Sequence, residues 1–435
     1  MAMTMAEQLL ARASGRSAVN VGEIVVCDVD RIVHLDSPFT SNTEPLPIRV
    51  DHPERIAIIL DHEVPAPTVN AAIGHRRART FVETFGISHF FDVGQGGIGH
   101  QVLLENGLSL PGELLACSDS HTCAAGAVNC GGRGLGRLEM LKLLATGKTW
   151  YIVYPSVRYE FSGAAAPGVF GKDILLYIAD KYGSHAEQNI EYGGPGLATL
   201  SMDDRATIAT MSAEVNCEFA LLEHDQITAD FLRGCGATAY TPVTYDENAT
   251  YAAIHEIDLA KVEPYVALPG SVPNNTKPLT QLLGTKVDQA FIGSCANGKL
   301  TDLRIAAEIL DGRHVDPATR LVVTPASQKI YLEAVKRGYV AKIVEAGGIV
   351  TNATCGACGG LHLGVLGPGE VCVTSSTRNF RGRMGHVDAQ IYIASSATAA
   401  ASAVEGKLAD PRKYLRSLPG ETLADSLSPA TGHQA

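Results

Sequence analysis

A series of short apolar runs limits the folds that this chain can adopt more than any other feature does. Each run ends at polar residues, and a helix-like segment separates it from the next. The apolar runs are Arg55–Leu60, His89–Val93, Glu113–Ala116, Gln289–Gly293, Arg320–Thr324 and Glu370–Thr374. Helices are predicted at Asn70–Phe85, Leu138–Ala145, Met202–Val215 and Thr301–Leu310. Continuous apolar runs of this length are typical of strands that are buried on both faces of a sheet. The repeated order of strand, polar residues and helix predicts an α/β protein, in which ligands gather at the carboxyl ends of the strands.

Length and charge narrow the class of protein further. A chain of 435 residues favours two to four domains with ample core. The formal net charge of -11 argues against a nucleic-acid platform but leaves an anionic small substrate possible. The first residues lack the apolar core of a signal peptide, and no apolar run approaches membrane-spanning length. We therefore expect a cytoplasmic protein with reduced thiols and no membrane partner.

Two segments are predicted to lie outside the packed domains. The segment Pro269–Pro278 (PGSVPNNTKP) crowds Pro, Gly and Asn together and is the best candidate for a linker. The stretch after Ala409 is polar and interrupted by Pro and Gly, which predicts a short helix and a loose end.

A glycine-rich stretch after the second apolar run has two interpretations. The sequence Gly94–Gly99 fits the pattern G-x-G-x-x-G, but a dinucleotide site also needs an acidic residue about 20 positions later, at the end of a second strand. Glu113 comes too early, at the start of a strand, and the glycines are followed by His100. A structural turn that presents His100 is the favoured interpretation.

Histidines beside carboxylates follow several predicted strands. These positions are Asp61-His62, His100 and Asp119-Ser120-His121. A single histidine is more often a surface or core residue, but a carboxylate that accepts an imidazole N–H fixes the tautomer and suits general acid–base catalysis. Zinc is a rival use, although a spacing such as H-E-x-x-H does not occur.

The ten cysteines offer one close pair, Cys355 and Cys358, and a third candidate, Cys295, in another glycine-containing loop. A single C-x-x-C can be half of a zinc site, a redox pair, a pair of cluster ligands or chance. A zinc ribbon needs a second close pair, which the other cysteines do not supply, and a thioredoxin-type pair would lie earlier in a βαβ unit. Three thiolates on loops with small neighbours fit an iron–sulfur cluster, and a cubane held by three thiolates leaves one iron open as a Lewis acid.

Three stretches resemble signature sequences of the aconitase superfamily, namely Ser118–Gly126 (SDSHTCAAG), Phe291–Arg304 (FIGSCANGKLTDLR) and Cys355–Gly385 (CGAC…GPGEVCVTSSTRNFRGRMG). They are most similar to the separate large subunits of 3-isopropylmalate dehydratase and homoaconitase, and weaker likeness extends over most of Arg55 to Arg412. The resemblance implies an α/β, aconitase-like three-domain large subunit, with parallel-sheet domains around an iron–sulfur cluster. It predicts domains at 1–155, 156–277 and 278–435, the last carrying the cluster cysteines.

The resemblance also implies a role for each matching residue. The ligands of a [4Fe-4S] cluster with one open iron would be Cys295, Cys355 and Cys358. The catalytic residues would be Asp61, His62, His100, Asp119, Ser120, His121 and Glu214, with His100 paired to Asp119 and His121 to Glu214. The substrate-binding residues would be Arg378, Arg383 and Asn297.

The chain departs from the family pattern around the predicted pocket. Thr377 and Thr210 stand where the family has asparagine, and Asn216 stands where it has glycine. The stretch that normally reads H-D-x-T is here His34–Pro38, so its substrate-side residue cannot be placed. These changes favour a specialised relative over an enzyme for the standard leucine-pathway substrate.

The function implied is reversible dehydration of a small hydroxy di- or tricarboxylic acid of the substituted-malate type. The open iron would bind a carboxylate and the hydroxyl, His62 would protonate the departing hydroxyl, and arginines would stabilise the carbanion-like state. The proton-abstracting serine of this superfamily lies in a G-S-S-R-E-like motif that the chain lacks, which predicts a separate small subunit with a swivelling domain. The alternatives are a cluster-free or mononuclear-metal dehydratase on the same scaffold, or a non-catalytic regulatory or RNA-binding relative.

Overall fold

The computed structural model describes residues 2–40 and 45–415. Its strands are β1 Ile24–Asp28, β2 Arg31–Leu35, β3 Ile56–Ile59, β4 His89–Phe91, β5 Leu114–Cys117, β6 Gly131–Gly134, β7 Lys148–Ile152, β8 Ser156–Ser162, β9 Asn189–Gly193, β10 Ala220–Leu222, β11 Ala253–Asp258, β12 Tyr265–Ala267, β13 Thr276–Pro278, β14 Gln289–Ile292, β15 Arg320–Val323, β16 Ile349–Val350, β17 Val371–Thr374 and β18 Gln390–Ile393. Each of the six predicted strands is present, which confirms the interpretation of the apolar runs.

The helices fill the intervals between strands, as the alternation predicts. They are α1 Met5–Ala13, α2 Ser37–Thr40, α3 Val69–Phe85, α4 Gly99–Glu105, α5 Arg137–Thr146, α6 Gly171–Tyr182, α7 Met202–Met211, α8 Gln226–Gly234, α9 Leu300–Leu310, α10 Gln328–Lys336, α11 Tyr339–Glu345 and α12 Ser396–Glu405. Short 3₁₀ turns lie at Pro53–Arg55, Thr122–Val128, Pro195–Thr199, Ser212–Val215, Leu259–Lys261, Leu279–Gln281, Gly356–Gly359 and Pro411–Lys413. The helix predicted over Met202–Val215 is present as α7, which is followed by the 3₁₀ turn Ser212–Val215.

Three larger sheets organise the part of the chain that the structure describes, and most of their strand pairs are parallel. The first has the order β4-β3-β2-β5-β6 and the second β10-β9-β8-β11, both parallel throughout. The third has the order β13-β12-β18-β17-β14-β15-β16 and is antiparallel only where β12 pairs with β13 and β18. A separate antiparallel ribbon joins β1 to β7. Several parallel-sheet α/β units are therefore present, as the resemblance implied.

The segment Pro269–Pro278 is not a linker, and this prediction is wrong. Its last residues form β13, which pairs with β12 as a hairpin at the edge of the third sheet, with Ala267 opposite Thr276. Crowded Pro, Gly and Asn mark a tight turn as readily as an open connection, and here they form the turn. The predicted boundaries at 155/156 and 277/278 stay predictions, although β12 shows that the third sheet begins before residue 278.

A shared apolar core holds the sheets together. One continuous group of buried side chains includes Val33 and Leu115 of the first sheet, Tyr159 and Tyr192 of the second and Ile393 of the third. The loops at the carboxyl ends of the strands are therefore fixed relative to one another. In the tail, the short predicted helix corresponds to the turn at Pro411–Lys413, and the predicted loose end lies mostly outside the described residues.

The glycine-rich turn Gly94–Gly99 joins the first sheet to the third. A Cβ on Gly97 would lie 2.4 Å from the carbonyl oxygen of Ala326, so only glycine fits there. The N–H of Ile98 donates to the same carbonyl at 2.8 Å. The turn leads into α4 and places His100 in its first turn, which agrees with the structural interpretation. Across residues 2–40 and 45–415, none of the helices has the length and apolarity needed to span a bilayer.

Candidate active site

The predicted site residues converge where the first and third sheets meet at their carboxyl ends. Asp61 and His62 follow β3, Asp119 and His121 follow β5, and Cys295 follows β14. The N–H of Cys355, on the loop after β16, donates to the carbonyl oxygen of Asp61 at 3.0 Å. The strand ends thus bring polar side chains from distant parts of the sequence into one place.

Asp61 and His62 form a close pair that is held by a further acid. The Nδ1 of His62 contacts the carboxylate of Asp61 and lies 3.2 Å from Oδ1 of Asp36. The other oxygen of Asp61 accepts the N–H of Gly99 at 3.0 Å. Although burial alone would lower the pKa of His62, the two carboxylates raise it well above its usual value. His62 is therefore held as a cation able to donate a proton.

A second network joins His100, Asp119 and His121. The Nε2 of His100 lies 2.7 Å from Oδ1 of Asp119, which confirms the predicted pairing. The same oxygen accepts the backbone N–H of His121 at 2.8 Å. Burial would raise the pKa of Asp119, but hydrogen bonds from the two imidazoles hold it well below its usual value. Asp119 is therefore an ionised anchor, and Ser120 is exposed beside it.

Glu214 connects this network to an arginine. Its Oε1 lies 2.8 Å from Nε2 of His121, as predicted, and accepts a hydrogen bond from Nε of Arg378 at 3.0 Å. Glu214 belongs to the 3₁₀ turn after α7, and Arg378 follows β17. The contact therefore brings one element from each of the three larger sheets to a single carboxylate.

The three predicted cluster cysteines lie together on their loops. Cys355 directly precedes the 3₁₀ turn Gly356–Gly359, and Cys358 lies within it. The Oγ of Ser294 is 3.5 Å from Sγ of Cys295 and 3.5 Å from Sγ of Cys358, so the two loops meet at this hydroxyl. Ser294 has a φ of 84°, a conformation rare for a residue other than glycine and often found at functional sites.

Two of these thiols, Cys295 and Cys358, lie beside cationic side chains, which suits an anionic iron–sulfur group. Burial favours the neutral thiol of Cys295, but the charge and hydrogen bond of His121 lower its pKa to about 6. The Nη2 of Arg383 lies 3.7 Å from Sγ of Cys358, and its buried Nε has no hydrogen-bond partner among the described residues. Three thiols, glycine-rich loops and adjacent cations together fit a cluster held by three thiolates.

A rival metal site overlaps this set. Among the described residues, the potential ligand atoms of Asp61, His62 and Cys355 all lie within 4.8 Å of one another. The side chains of Asp61 and His62 already have partners, however. Asp61 accepts the N–H of Gly99, and His62 contacts two carboxylates. This arrangement favours an acid–base pair over ligands of a single metal ion.

Other predicted residues occupy less direct positions. Asn297 is buried and donates to Oδ1 of Asp302 at 2.8 Å, so its amide braces the start of α9 and its role in substrate binding stays a prediction. The hydroxyl of Thr210 donates to its own helix at Ala206, 2.6 Å away. Within residues 2–40 and 45–415, the buried hydroxyl of Thr377 has no hydrogen-bond partner.

Sequence reasoning missed four residues that support the site. These are Asp36, which lies beside His62, His75, which lies beside Asp36, His362, whose Nε2 lies 2.9 Å from the carbonyl oxygen of His62, and Lys172. Lys172 is completely buried and donates to the carbonyl oxygens of Ser375 and Ser376 at 2.6 and 2.9 Å, just before Arg378. Of these four residues, only Asp36 could have been found from the sequence pattern, because it directly follows a strand, as Asp61 does.

The chain belongs to the aconitase family. The model of the Aconitase family (aconitate hydratase) matches residues 40–406, which covers most of the chain. Within that family, similar proteins bear the name 3-isopropylmalate dehydratase large subunit. The one from Mycolicibacterium smegmatis is 52% identical over 95% of this chain and 98% of its own length. Those from Methanopyrus kandleri (large subunit 1) and Clostridium kluyveri are 41% and 38% identical over 95% of this chain and 100% of theirs.

One solved structure, aconitase X from Thermococcus kodakaraensis in its holo-form, aligns with 84% of this chain and 88% of its own. Its TM-score is 0.48 at 12% sequence identity, a likeness too distant to support any conclusion about this chain.

Proposed function

We propose that the chain is the cluster-bearing large subunit of a hydro-lyase that reversibly dehydrates a small hydroxy di- or tricarboxylic acid of the substituted-malate type. The observation that carries this proposal is the meeting of three thiols, three histidine–carboxylate pairs and two arginines at one edge of the sheets. The relatives named as 3-isopropylmalate dehydratase large subunits support the same reaction class.

The residues of this chain supply proton transfer and charge. In this proposal His62 protonates a hydroxyl as it leaves, because carboxylates accept at its Nδ1 and leave Nε2 for the substrate. Arg378 and Arg383 bring planar, permanently charged donors that suit a carboxylate and a developing negative charge. His100, Asp119 and His121 form a second part of the site, held by partly buried hydrogen bonds.

A [4Fe-4S] cluster would be held by Cys295, Cys355 and Cys358. When bound, it supplies an iron with an open position, which acts as a Lewis acid toward the substrate's carboxylate and hydroxyl oxygens. Arg383 and Ser294 would lie beside the ligand sulfurs, where they reach the thiols now.

A small subunit is the partner that the names of the relatives imply. We propose that it carries the swivelling domain with the proton-abstracting serine and a further arginine. The substrate would bind between the two subunits, where concave sites commonly form.

The test is an assay of the anaerobically reconstituted chain, with and without its small subunit, against 2- and 3-substituted malates. We expect turnover of at least one of these acids only when both subunits are present. If Thr377 and Thr210 reshape the pocket, an acid other than 3-isopropylmalate or homocitrate will be the best substrate, and the opposite ranking would refute that specialisation. Full turnover by the isolated chain, or none of any acid by the complex, would contradict the proposal.

A further inference from the structure

A buried carboxylate that the proposed reaction does not use lies under the turn that carries His62. Asp36 directly follows β2, whose last residue, Leu35, is in register with Ile59 at the end of β3. Its side chain is 0% exposed. It accepts the backbone N–H groups of His62 at 3.1 Å and of Glu63 at 3.0 Å. Asp36 therefore binds the free N–H groups of the turn directly after β3.

The carbonyl groups of the same turn are held from the opposite side. The carbonyl oxygen of Asp61 accepts the hydroxyl of Thr354 at 2.8 Å and the N–H of Cys355 at 3.0 Å. The carbonyl oxygen of His62 lies 2.9 Å from Nε2 of His362. Asp36 therefore holds the turn from one side, and the loop that carries the predicted cluster ligand Cys355 holds it from the other. Without Asp36, two backbone N–H groups would lose their acceptor and the turn would be held from one side only.

Asp36 also restrains the imidazole ring itself. Its Oδ1 lies 3.2 Å from Nδ1 of His62, on which Asp61 also converges. Because carboxylates only accept hydrogen bonds, Nδ1 must carry a proton, and Nε2 is the nitrogen left to exchange one with a substrate. The Nε2 of His75 lies 3.9 Å from Oδ2 of Asp36, which is too far for a hydrogen bond.

We propose that Asp36 is a positioning residue for His62, which fixes both the backbone turn and the ring so that Nε2 meets the substrate. Complete burial keeps Asp36 from touching the substrate, so the proposal requires its effect on turnover to pass through His62. This inference rests on the proposed function, in which His62 is the proton donor.

The test is a double-mutant cycle of Asp36→Asn and His62→Gln, measured on the complex with the small subunit. An amide in place of the carboxylate would present N–H groups to a turn that already offers donors, so the ring should move. Displacement of a catalytic group by about 1 Å can cost about 10²-fold in rate, so we expect kcat to fall by about that factor with KM nearly unchanged. In the His62→Gln background, Asp36→Asn should add less than about threefold, because positioning matters only while the imidazole is present. Asp36→Glu should restore part of the loss.

Asp173→Asn is the matched control. Asp173 is also 0% exposed, and it accepts backbone N–H groups of Phe170 and Tyr265 at 3.0 and 3.1 Å. Its effect on kcat should be the same in the wild-type and His62→Gln backgrounds. Equal losses from Asp36→Asn in both backgrounds, or a wild-type kcat in Asp36→Asn, would overturn the proposal.

A second readout does not depend on turnover. The second readout is the NMR spectrum of the imidazole nitrogens in histidine-labelled protein. The signals of His62 are those that disappear in His62→Gln. They should shift in Asp36→Asn and stay in place in Asp173→Asn, and unchanged His62 signals in Asp36→Asn would overturn the inference. If the wild-type complex is inactive on every acid but the signals shift, the proposed function fails while the placement of His62 by Asp36 stands.

Discussion

Glu214→Gln tests whether the contact that joins the three larger sheets belongs to the catalytic machinery. One oxygen of Glu214 serves both Nε2 of His121 and Nε of Arg378, at 2.8 and 3.0 Å. The substitution keeps the shape of the side chain but removes the charge that both partners share. Arg378 then loses the carboxylate that it pairs with, and His121 keeps only the more distant carboxylate of Asp119, 3.5 Å from its Nδ1, in a largely buried place.

The magnitude follows from the exposure of the pair. Removing one partner of a buried ion pair costs about 3 to 5 kcal/mol. The side chains of Arg378 and Glu214 are 27% and 11% exposed, so water offsets part of that loss. We therefore expect a cost of about 2 to 3 kcal/mol. If the same energy is lost from the transition state, kcat/KM falls by about 30- to 150-fold.

The assay measures kcat/KM of the two-subunit enzyme together with the urea midpoint of this chain. Glu223→Gln is the control, because Glu223 is a carboxylate paired with the buried Arg158, which is not one of the predicted site residues. Both variants should lower the urea midpoint, and only Glu214→Gln should lower kcat/KM. A wild-type kcat/KM in Glu214→Gln, or equal losses of kcat/KM in both variants, would refute the reasoning.

Three further predictions concern single side chains. Replacing Cys295, Cys355 or Cys358 with Ser should abolish the visible absorbance of the reconstituted cluster, whereas the buried Cys27→Ser should retain it; a full cluster in Cys355→Ser would refute the ligand assignment. Arg383→Lys should raise KM more than it lowers kcat, since an ammonium cannot bind a carboxylate with two parallel hydrogen bonds; an unchanged KM would exclude Arg383 from substrate binding. Burial lowers the pKa of His34 to about 4. Between about pH 6.5 and pH 4 the unfolded chain therefore binds a proton that the folded chain does not. The free energy of unfolding falls as the pH drops through this range. Urea titrations should show a loss of about 2 kcal/mol from pH 7 to pH 5 that is missing in His34→Leu, and the same loss in both proteins would contradict this account.

The sequence predicted the parts of the fold that depend on local pattern. Buried parallel strands leave continuous apolar runs, and the polar residues directly after them, such as Asp61 and Asp119, must lie at the carboxyl edge of the sheet. Motif resemblance then predicted the contacts of His100 with Asp119 and of His121 with Glu214, which the structure confirms.

Contacts that depend on packing between distant segments could not be predicted. Lys172 lies on a helix of the second sheet, and nothing local indicates that its ammonium reaches the carbonyl oxygens of Ser375 and Ser376. Asp36 acts on His62 only because β2 and β3 are neighbours in register. The segment Pro269–Pro278 was misread because its composition suits a linker and a hairpin turn equally.

We propose that Cys295, Cys355 and Cys358 hold an iron–sulfur cluster that serves a dehydration. Iron and acid-labile sulfide analysis of the anaerobically reconstituted chain, repeated on Cys295→Ser and Cys358→Ser, decides whether they do. We expect about four iron and about four sulfide per chain in the wild type, the content of one [4Fe-4S] cluster, and a loss of both in each variant. A single metal ion per chain without sulfide, unaffected by Cys295→Ser, would contradict the proposal and point to a mononuclear site at Asp61, His62 and Cys355.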